Sequence, residues 1–436
     1  MRVAAHTLGC KLNYAETSDL LRRLAGEGNE VVDFGEVADM YIINTCTVTA
    51  VAEKKCRNAI RQAVAQNPKA EVVVIGCMAE TSRDEIAAIP GVTAVYGNER
   101  KRMLAYSSAG GGNERTRVFF KIQDGCDYFC TYCAIPLARG RSRSETIEET
   151  LCAARKIAGS GFGVRSSELS GCGSNNSELR SPNSALEVVL TGVNTGTFGQ
   201  QHGETLLDLL KGLDEIEDIA RYRISSIEPN LLTDEMVDFI ATSRAFLPHF
   251  HIPLQGGSDH LLRLMHRRYD TALYRDKLLY IKSCMPDACI AADVMAGFNG
   301  ESEEEFEKVL QYIGDLPISY LHVFTYSDRP GTAALRLGEK IPIHIRREHT
   351  ARLLQLSEEK HRAFISSQLG KTRPVLWEST QHLSPLTSHL SPSMQGWTDN
   401  YIRLSRPYDA SRVGTIEQVT ITSSNLTDWC VSPINH

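Results

Sequence analysis

The sequence predicts an α/β protein in three parts: an N-terminal parallel α/β domain, a central partial (β/α)6 barrel, and a small all-β domain at the C-terminus. Three observations lead to this prediction. Short β-type runs alternate with helix-type runs at the start of the chain, the same alternation repeats through the middle, and the last part holds β-prone pieces. The length of 436 residues also fits about three domains of roughly 150 residues each.

The N-terminal domain is predicted to span residues 1–112. Leu20, Leu21 and Leu24 mark one apolar face of a helix that follows the first strand. Glycines and small polar residues near 107–115 predict a flexible connection, which ends the domain. The predicted strands lie at residues 2–6, 40–43 and 72–75.

The partial barrel is predicted over residues 113–368. A serine-rich, low-complexity stretch near 165–184 interrupts it, and we expect a surface insertion there because such a composition buries no core. Helical segments are predicted at residues 206–213, 234–240, 259–265 and 303–313. Candidate strands lie at residues 118–122, 186–190, 222–226, 249–252, 289–294 and 321–325.

The C-terminal domain is predicted over residues 369–436, with an OB-like arrangement of strands. Its β-prone pieces lie at residues 372–377, 400–404 and 416–422. The segment His-Leu-Ser-Pro occurs twice within a Ser/Thr/Pro-rich stretch near 379–396, which predicts an extended insertion. The domain carries no excess of basic residues.

The composition is that of an ordinary globular protein, with 42% hydrophobic and 23% charged residues. Because the formal net charge is −6, any binding of RNA needs a local basic surface. The sequence has no run of about 18 apolar residues and no secretory signal at its start. We therefore expect a cytoplasmic monomer without a membrane partner.

Cysteines give the strongest indication of chemistry. Cys126, Cys130 and Cys133 form a Cys-x3-Cys-x2-Cys motif directly after a predicted strand. A structural zinc site usually has four protein ligands, whereas a four-iron cluster held by three cysteines leaves one iron free to bind a substrate or cofactor. The motif alone also fits a fragment of a zinc knuckle.

A second set of three cysteines lies upstream. Cys10, Cys46 and Cys77 each follow the carboxyl end of a predicted strand, and these ends meet at one edge of a parallel sheet. Two sets of three cysteines indicate two clusters, although any one of these residues, taken singly, is equally well explained as a buried thiol. Cys56 lies in a helix-type run and is interpreted as structural. The remaining cysteines have no metal-like spacing and are interpreted in the same way; they are Cys152, Cys172, Cys284, Cys289 and Cys430.

The Cys-x3-Cys-x2-Cys spacing, with Tyr132 before the last cysteine, resembles the radical S-adenosylmethionine (SAM) superfamily. With further motifs along nearly the whole chain, the sequence is similar to the methylthiotransferases of that superfamily. These motifs are Thr-Leu-Gly-Cys-Lys-Leu-Asn at 7–13, Asn-Thr-Cys-Thr-Val-Thr at 44–49, Gly-Cys-Met-Ala-Glu at 76–80, Ala-Arg-Gly-Arg-Ser-Arg-Ser at 138–144 and His-Ile-Pro-Leu-Gln-Gly-Gly-Ser at 251–258.

This resemblance implies a radical SAM barrel, a C-terminal TRAM domain, and two 4Fe-4S clusters. The downstream cysteines would hold the cluster that binds and cleaves SAM, with Tyr132 beside the adenine. The upstream cysteines would hold an auxiliary cluster that carries the sulfur to be inserted. Two SAM molecules are then used per turnover, one for methylation and one for the radical.

The family has branches with different substrates. The sequences Leu-Gly-Cys-Lys-Leu-Asn at 8–13 and Leu-Thr-Gly-Val-Asn-Thr-Gly at 190–196 look most like the branch that modifies N6-threonylcarbamoyladenosine at tRNA position 37. The implied product is the 2-methylthio derivative, and the implied partners are the tRNA anticodon stem-loop, an electron donor and a sulfur donor. One alternative is methylthiolation of an aspartate of ribosomal protein S12, and another is a non-catalytic, zinc-dependent RNA-binding protein.

Further candidates for SAM contact are Gly192, Glu228 and Asp293. Gly192 and Glu228 lie at the ends of predicted strands, where a glycine permits close approach of the backbone and a carboxylate accepts from amino or ribose groups. A turn carboxylate explains Glu228 equally well, and a paired core carboxylate explains Asp293 equally well.

Candidates for substrate contact are arginines. Arg139, Arg141 and Arg143 alternate along the chain just after the cysteine motif, where they are expected to bind RNA phosphates or the threonyl carboxylate. A solvated run of charges is the alternative for these three. Arg267 and Arg268 follow a predicted helix, and a solvated helix end is the alternative for them. In the C-terminal domain the candidates are Arg403 and Arg406, with Trp397 and Tyr401 as stacking partners.

Overall fold

The computed structural model describes residues 1–98, 116–159, 187–378 and 393–427. The helices are α1 Lys11–Gly26, α2 Ala50–Gln66, α3 Cys77–Thr81, α4 Arg83–Ala87, α5 Ile135–Arg139, α6 Ile147–Gly159, α7 Leu206–Asp214, α8 Asp234–Thr242, α9 Asp259–Leu264, α10 Thr271–Cys284, α11 Glu303–Asp315 and α12 Ile343–Gln368. The strands are β1 Arg2–Thr7, β2 Glu30–Val32, β3 Met40–Thr45, β4 Glu71–Gly76, β5 Ala94–Tyr96, β6 Arg117–Lys121, β7 Glu187–Thr191, β8 Arg221–Ile224, β9 His249–His251, β10 Cys289–Ala296, β11 Tyr320–Thr325, β12 Thr372–Glu378, β13 Ser393–Thr398, β14 Arg403–Pro407 and β15 Ile416–Thr420.

The N-terminal sheet has five parallel strands in the order β2-β1-β3-β4-β5. Its central strands are apolar on both faces, as expected for a parallel sheet covered by helices on both sides. Tyr41 and Ile43 pack with Ile60 of α2 on one face, while Ile42 packs with Leu20 of α1 on the other. The predicted strands and the helix with Leu20 are therefore confirmed.

The central part holds six parallel strands in two described sheets, with the orders β6-β7-β8 and β9-β10-β11. Bridges from Tyr222 to Phe246 and from Ser226 to His251 connect the two sheets. On β10, Ile290 belongs to a core cluster shared with residues of α10 and α11, whereas Cys289 belongs to a cluster shared with the C-terminal strands. Six strands are present where the sequence predicts them, and the face with Cys289 packs against the C-terminal strands and Phe364 of α12.

The C-terminal part forms an antiparallel sheet in the order β14-β13-β12-β15, which contacts the central strands. Arg117 of β6 pairs with Glu378 of β12 at 2.6 Å, and the ring of His249 of β9 packs at a tilt against that of Tyr401, with centroids 4.5 Å apart. One boundary is corrected, because residues 393–396 of the predicted insertion lie in β13 and alternate between exposed and buried positions.

Some predicted features lie outside the described residues. They are the connection near 107–115, the insertion near 165–184, the part of the second insertion at 379–392, and Cys172 and Cys430. No helix in the described ranges is long and apolar enough to span a bilayer.

His349 on α12 is buried between Glu301 and Glu303, at 2.7 Å and 3.0 Å. Burial alone would lower the pKa of His349, but the two carboxylates raise it above its usual value. A raised pKa adds stability that is complete below the unfolded value of about 6.5 and is lost as the pH rises through the folded value.

We expect His349→Gln to lower the melting temperature more at pH 6 than at pH 9, as followed by circular dichroism. His344→Gln, at an exposed position of the same helix, is the control and should show no such dependence; equal losses for His349→Gln at both pH values would contradict the assignment.

Candidate functional site

The upstream cysteines lie at the carboxyl edge of the N-terminal sheet. Cys10 precedes α1, Cys46 directly follows β3, and Cys77 directly follows β4 as the first residue of α3. Gly9 has a φ of +101°, and a Cβ at this position would lie 2.8 Å from the Cβ of Cys46. Only glycine fits this close approach without strain, so the loop that carries Cys10 lies against Cys46.

Burial is the main electrostatic influence on these thiols. It raises the pKa of Cys46 to about 12, and the neighbouring Cys77 and Cys10 add to the rise. Cys77 is also buried and accepts from the side-chain nitrogen of Asn98 at 3.7 Å, whereas Cys10 is exposed. A metal bound here would have to displace thiol protons, and it would then remove the cost of burying thiolates.

Cys56 lies next to this group, on α2. The backbone N–H of Cys46 donates to Cys56 Sγ at 3.3 Å, and Cys56 Sγ lies 3.6 Å from the carbonyl oxygen of Cys46. The thiol is fully buried, and burial raises its pKa to about 11. These contacts hold the backbone of Cys46 in place. A structural role for Cys56 stays a prediction.

The downstream cysteines lie in a loop between β6 and α5. Cys126 Sγ accepts from the backbone N–H of Tyr128 at 3.4 Å, and Cys130 Sγ accepts from Arg267 at 3.2 Å. Burial raises the pKa of Cys133 to about 12. Donors directed at sulfur stabilise its anionic form and influence the potential of a bound iron–sulfur cluster, so this loop is suited to one.

The zinc alternative makes a geometric demand. Sulfur atoms around a tetrahedral zinc ion, at about 2.3 Å from the metal, lie roughly 3.8 Å apart. Within the described ranges, the group that brings three ligand atoms within 4.8 Å of one another consists of His251, Asp293 and His322. Neither set of cysteines is drawn together to that extent. The choice between zinc and a four-iron cluster at each set of cysteines stays a prediction.

Arg267 is placed differently from the prediction. Its side chain is 3% exposed, and its guanidinium contacts Cys130 Sγ, the hydroxyl of Tyr132 and the carboxylate of Glu228. A buried guanidinium with these partners is placed to stabilise the cysteine loop, and an RNA contact of Arg267 stays a prediction. The structure brings Arg267 and Glu228 together beside the downstream cysteines, and Glu228 stays a candidate for SAM contact.

Gly192 lies against Gln123. A Cβ on Gly192 would come 2.9 Å from Oε1 of Gln123, which accepts from the backbone N–H groups of Val193 and Asn194. The glycine thus permits the close packing of two loops, while its contact with SAM stays a prediction. Tyr132 packs edge-on against Phe298 with ring centroids 6.2 Å apart.

Sequence reasoning missed Asn194 and Asn230 as parts of this site. Asn230 donates to the hydroxyl of Tyr128 at 2.8 Å, and the side chain of Asn194 is buried close by in the chain, two residues after Gly192. In the described part of the chain, the buried side-chain oxygen of each has no hydrogen-bond partner. Such oxygens are costly unless a ligand donates to them, so they fit a polar cofactor. The available signal was their place after strands, two residues beyond Gly192 and Glu228.

Arg139 is also buried. Its side chain is 1% exposed and donates to Glu16 at 3.1 Å, to Asp124 at 2.9 Å and to Asn13 at 2.6 Å. These buried partners favour a structural role for Arg139, and its contact with RNA or with a substrate carboxylate stays a prediction. The contacts join α1 of the N-terminal part to the loop that carries Cys126. Burial alone would lower the pKa of this guanidinium, but Glu16, with further contributions from Cys77, Asp124 and Cys10, raises it well above its usual value.

The other arginines of this segment are more accessible. Arg143 is partly buried and pairs with Asp124 at 2.6 Å. Arg141 is 78% exposed, pairs with Asp127 at 3.2 Å, and lies over the ring of Phe129. Beside it, the exposed Arg268 lies over the ring of Tyr128, 4.1 Å from the centroid. RNA contacts of Arg141, Arg143 and Arg268 stay predictions.

The C-terminal candidates do not form one exposed face. Trp397 stacks on Tyr401, and Tyr401 packs in turn at a tilt against His249 of the central sheet. Arg406 pairs with Glu417 at 2.9 Å. Arg403 is exposed and lies over Trp397. The ring of Tyr401 helps to dock the C-terminal sheet on β9, and stacking of Trp397 and Tyr401 on RNA stays a prediction. RNA contacts of Arg403 and Arg406 stay predictions.

Asp293 lies on β10 as predicted and pairs with His251 at 2.7 Å. Burial alone would raise the pKa of Asp293, but His251, His322 and Lys11 bring it below its usual value. This matches the alternative of a paired carboxylate, and contact with SAM stays a prediction.

Comparison with known proteins identifies both cysteine-bearing parts. Residues 2–97 match Uncharacterized protein family UPF0004, and residues 120–313 match the Radical SAM superfamily. The chain is 35% identical to the threonylcarbamoyladenosine tRNA methylthiotransferase MtaB of Bacillus subtilis (strain 168), over 96% of this chain and 93% of the relative. It is 34% identical to the protein of the same name from Aquifex aeolicus (strain VF5), over 97% of this chain and all of the relative.

A solved structure supports the fold. The radical S-adenosylmethionine methyltransferase TsrM from Kitasatospora setae, with cobalamin and a 4Fe-4S cluster bound, is similar with a TM-score of 0.50. The identity is 13%, and the similarity covers 74% of this chain and 72% of that chain. At this identity the similarity concerns the arrangement of helices and strands.

Proposed function

The chain belongs to the radical SAM methylthiotransferase family, and from this premise we propose that it is a cytoplasmic tRNA-modifying enzyme. Its substrate is N6-threonylcarbamoyladenosine at tRNA position 37, and its product is the 2-methylthio derivative. The names of the full-length relatives support this substrate, and the anticodon stem-loop is the part of tRNA that must reach the site. An electron donor and a sulfur donor are also required.

The observation that carries this proposal is the position of Arg139 between the two sets of cysteines. Its partner Glu16 is on α1, which begins just after Cys10, and its partner Asp124 lies two residues before Cys126. One buried guanidinium thus holds the two cysteine sites in a fixed relation. Methylthiolation needs this arrangement, since the sulfur and the activated carbon must meet in one site.

We propose that Cys126, Cys130 and Cys133 hold the 4Fe-4S cluster that binds SAM. Family membership implies SAM and one such cluster, and the donors directed at Cys126 and Cys130 fit it. When bound, the cluster and SAM together supply the electron and the radical that activate a carbon–hydrogen bond. Arg267 stabilises the negative charge of Cys130 and fixes Glu228, which is placed to accept from an amino or ribose group of SAM.

We propose that Cys10, Cys46 and Cys77 hold the auxiliary 4Fe-4S cluster. Support comes from their common position at the carboxyl edge of one sheet and from the burial of Cys46 and Cys77. The exposed Cys10 leaves this site open on one side. Buried surroundings exclude water from a reactive sulfur.

The finer architecture belongs to the same proposal. The domains are residues 1–112, 113–368 and 369–436; the central one is a partial (β/α)6 barrel, and the last is a TRAM domain. Arg141 and Arg268 flank the cysteine loop and are exposed, so we propose that they contact RNA phosphates. Arg403 is placed for a similar contact on the C-terminal sheet.

The test uses the anaerobically reconstituted full chain. Incubation with tRNA, SAM, sulfide and reductant, followed by nuclease digestion and mass spectrometry, is expected to yield 2-methylthio-N6-threonylcarbamoyladenosine. Unmodified tRNA together with methylthiolated ribosomal protein S12 would overturn the proposed substrate. Protein that binds zinc in place of iron, and that does not cleave SAM, would overturn the proposed chemistry.

A further inference from the structure

Phe129 is an exposed aromatic residue in the loop that carries the downstream cysteines. It lies between Cys126 and Cys130 in the chain, and it is 47% exposed. Its backbone has a φ of +50°, in the left-handed region that a bulky residue rarely adopts. A glycine or an asparagine would adopt this conformation with less strain. Neither burial nor backbone preference explains a phenylalanine here, and strained residues of this kind cluster at functional sites.

The strained loop is held in place by the turn that follows α9. The backbone N–H of Thr131 donates to the carbonyl oxygen of Met265 at 3.1 Å, and the hydroxyl of Thr131 donates to that of Leu264 at 2.8 Å. The carbonyl oxygen of Phe129 lies 3.4 Å from Nδ1 of His266, whose own φ is +59°. A fixed backbone thus presents the ring of Phe129 to solvent, so little entropy is lost when a ligand binds to it.

Two arginines lie over aromatic rings at this surface. The guanidinium of Arg141 lies over the ring of Phe129, 5.0 Å from its centroid. That of Arg268 lies over the ring of Tyr128, 4.1 Å from its centroid. Arg141 pairs with the carboxylate of Asp127, whereas Arg268 donates to the backbone carbonyl oxygen of the same residue. Two arginines against one aspartate give the surface a positive charge, and a chain with a net charge of −6 needs such a local surface to bind RNA.

The proposed reaction suggests what occupies this surface. An adenosine that is modified on its base must leave the stack of the RNA loop and approach the downstream cysteines. Its neighbour in the RNA then loses a stacking partner. Because Phe129 lies between two of these cysteines in the chain, its ring is placed to meet that neighbour. Aromatic rings and guanidinium planes both stack on unpaired bases, so they replace the lost partner.

We propose that Phe129 and Arg141 form a stacking site for the base of a nucleotide next to the modified adenosine. The inference rests on the proposed function, because it concerns a single-stranded RNA that delivers one base to the downstream cysteines. It adds a receptor for a base to the phosphate contacts of Arg141 and Arg268. A protein that delivers electrons is the competing partner for an exposed ring in this loop. The guanidinium layered on the ring favours RNA, since bases stack on both kinds of plane.

The experiment is a double-mutant cycle on the anaerobically reconstituted full chain, followed by fluorescence anisotropy of synthetic anticodon stem-loops. One RNA carries all of its bases, and two others lack a single base, on the 5′ or on the 3′ side of position 37. We expect Phe129→Ala to bind the intact RNA about tenfold more weakly than the wild type, as loss of one stacked base does. One abasic RNA should bind the wild type about tenfold more weakly as well. Phe129→Ala should not distinguish that RNA from the intact one, because both changes remove the same contact.

Three further variants separate stacking from other effects. Phe129→Tyr keeps an aromatic ring and should bind RNA like the wild type. Phe129→Gly removes the ring and relieves the backbone, so it should match Phe129→Ala in affinity and exceed it in melting temperature. Leu279→Ala removes an apolar side chain that is 52% exposed on α10, and it should leave the affinity unchanged. All of these variants should keep about eight irons per chain.

Independent losses in the cycle, or wild-type affinity in Phe129→Ala, would overturn the stacking site. Slower reduction of the clusters of Phe129→Ala by a reduced flavoprotein, with unchanged affinity for RNA, would assign this surface to the electron donor instead. If the wild type binds the intact RNA but leaves it without a methylthio group, the proposed function fails. The coupling between Phe129 and the missing base then still decides the stacking site.

Discussion

Cys46→Ser is expected to reduce the iron content of the reconstituted chain from about eight to about four atoms and to abolish methylthiolation. Cys46 is buried beside the thiols of Cys77 and Cys10, so a serine leaves an auxiliary cluster with two thiolates and a poor third ligand. The three downstream cysteines are unchanged in this variant, so SAM should still be cleaved. The measurements are iron and sulfide content, the yield of 5′-deoxyadenosine, and mass spectrometry of the digested tRNA.

Cys56→Ser is the matched control for this experiment. Cys56 lies 3.3 Å from the backbone nitrogen of Cys46 and is equally enclosed, yet it belongs to α2 and not to a strand end. We expect about eight irons and measurable product from this variant, with a modest loss of stability. Loss of four irons in Cys56→Ser and their retention in Cys46→Ser would exchange the roles of the two residues.

The parts of the fold that sequence predicts well are those in which one pattern determines the structure. The runs at 40–43 and 72–75 are apolar throughout, as buried parallel strands require, and they became β3 and β4. The short edge strand β2 escaped prediction because Glu30 and Val31 are both exposed. The sequence did not predict helix α12, because its buried face contains the polar residues Arg346, His349, Ser357 and Gln368. These residues interrupt the 3.6-residue repeat of apolar positions by which an amphipathic helix is predicted.

In the candidate site, too, some features could be predicted from the sequence and others could not. The spacing of the cysteines follows from the sequence because their ligand chemistry depends on short intervals and strand ends. The roles of the arginines do not, because they depend on distant partners: Arg139 meets Glu16 across 123 residues, and Arg267 meets Glu228 across 39. Alternation predicts similar positions for Arg139 and Arg141. Gly140, with a φ of +75°, ends α5 and turns the chain. As a result, the side chain of Arg139 is buried and that of Arg141 is exposed.

Arg139→Ala is expected to lower the melting temperature by roughly 6–12 °C, which corresponds to about 3 kcal/mol for the cooperative unit that contains the site. The loss leaves the buried carboxylates of Glu16 and Asp124 without their main partner. Lys121, within 3.0 Å of both, and Arg143 compensate in part, which keeps the loss at the lower end for a broken buried pair. Differential scanning calorimetry of the reconstituted chain measures the change.

Arg141→Ala separates this effect from a general loss of positive charge. Arg141 is two residues away, is 78% exposed, and pairs with Asp127 on the surface, where an ion pair contributes about 0–1 kcal/mol. Its melting temperature should stay close to that of the wild type, while its affinity for tRNA falls and becomes less dependent on salt. If Arg139→Ala instead melts like the wild type and binds tRNA weakly, Arg139 acts on RNA and the buried network does not hold the two cysteine sites together.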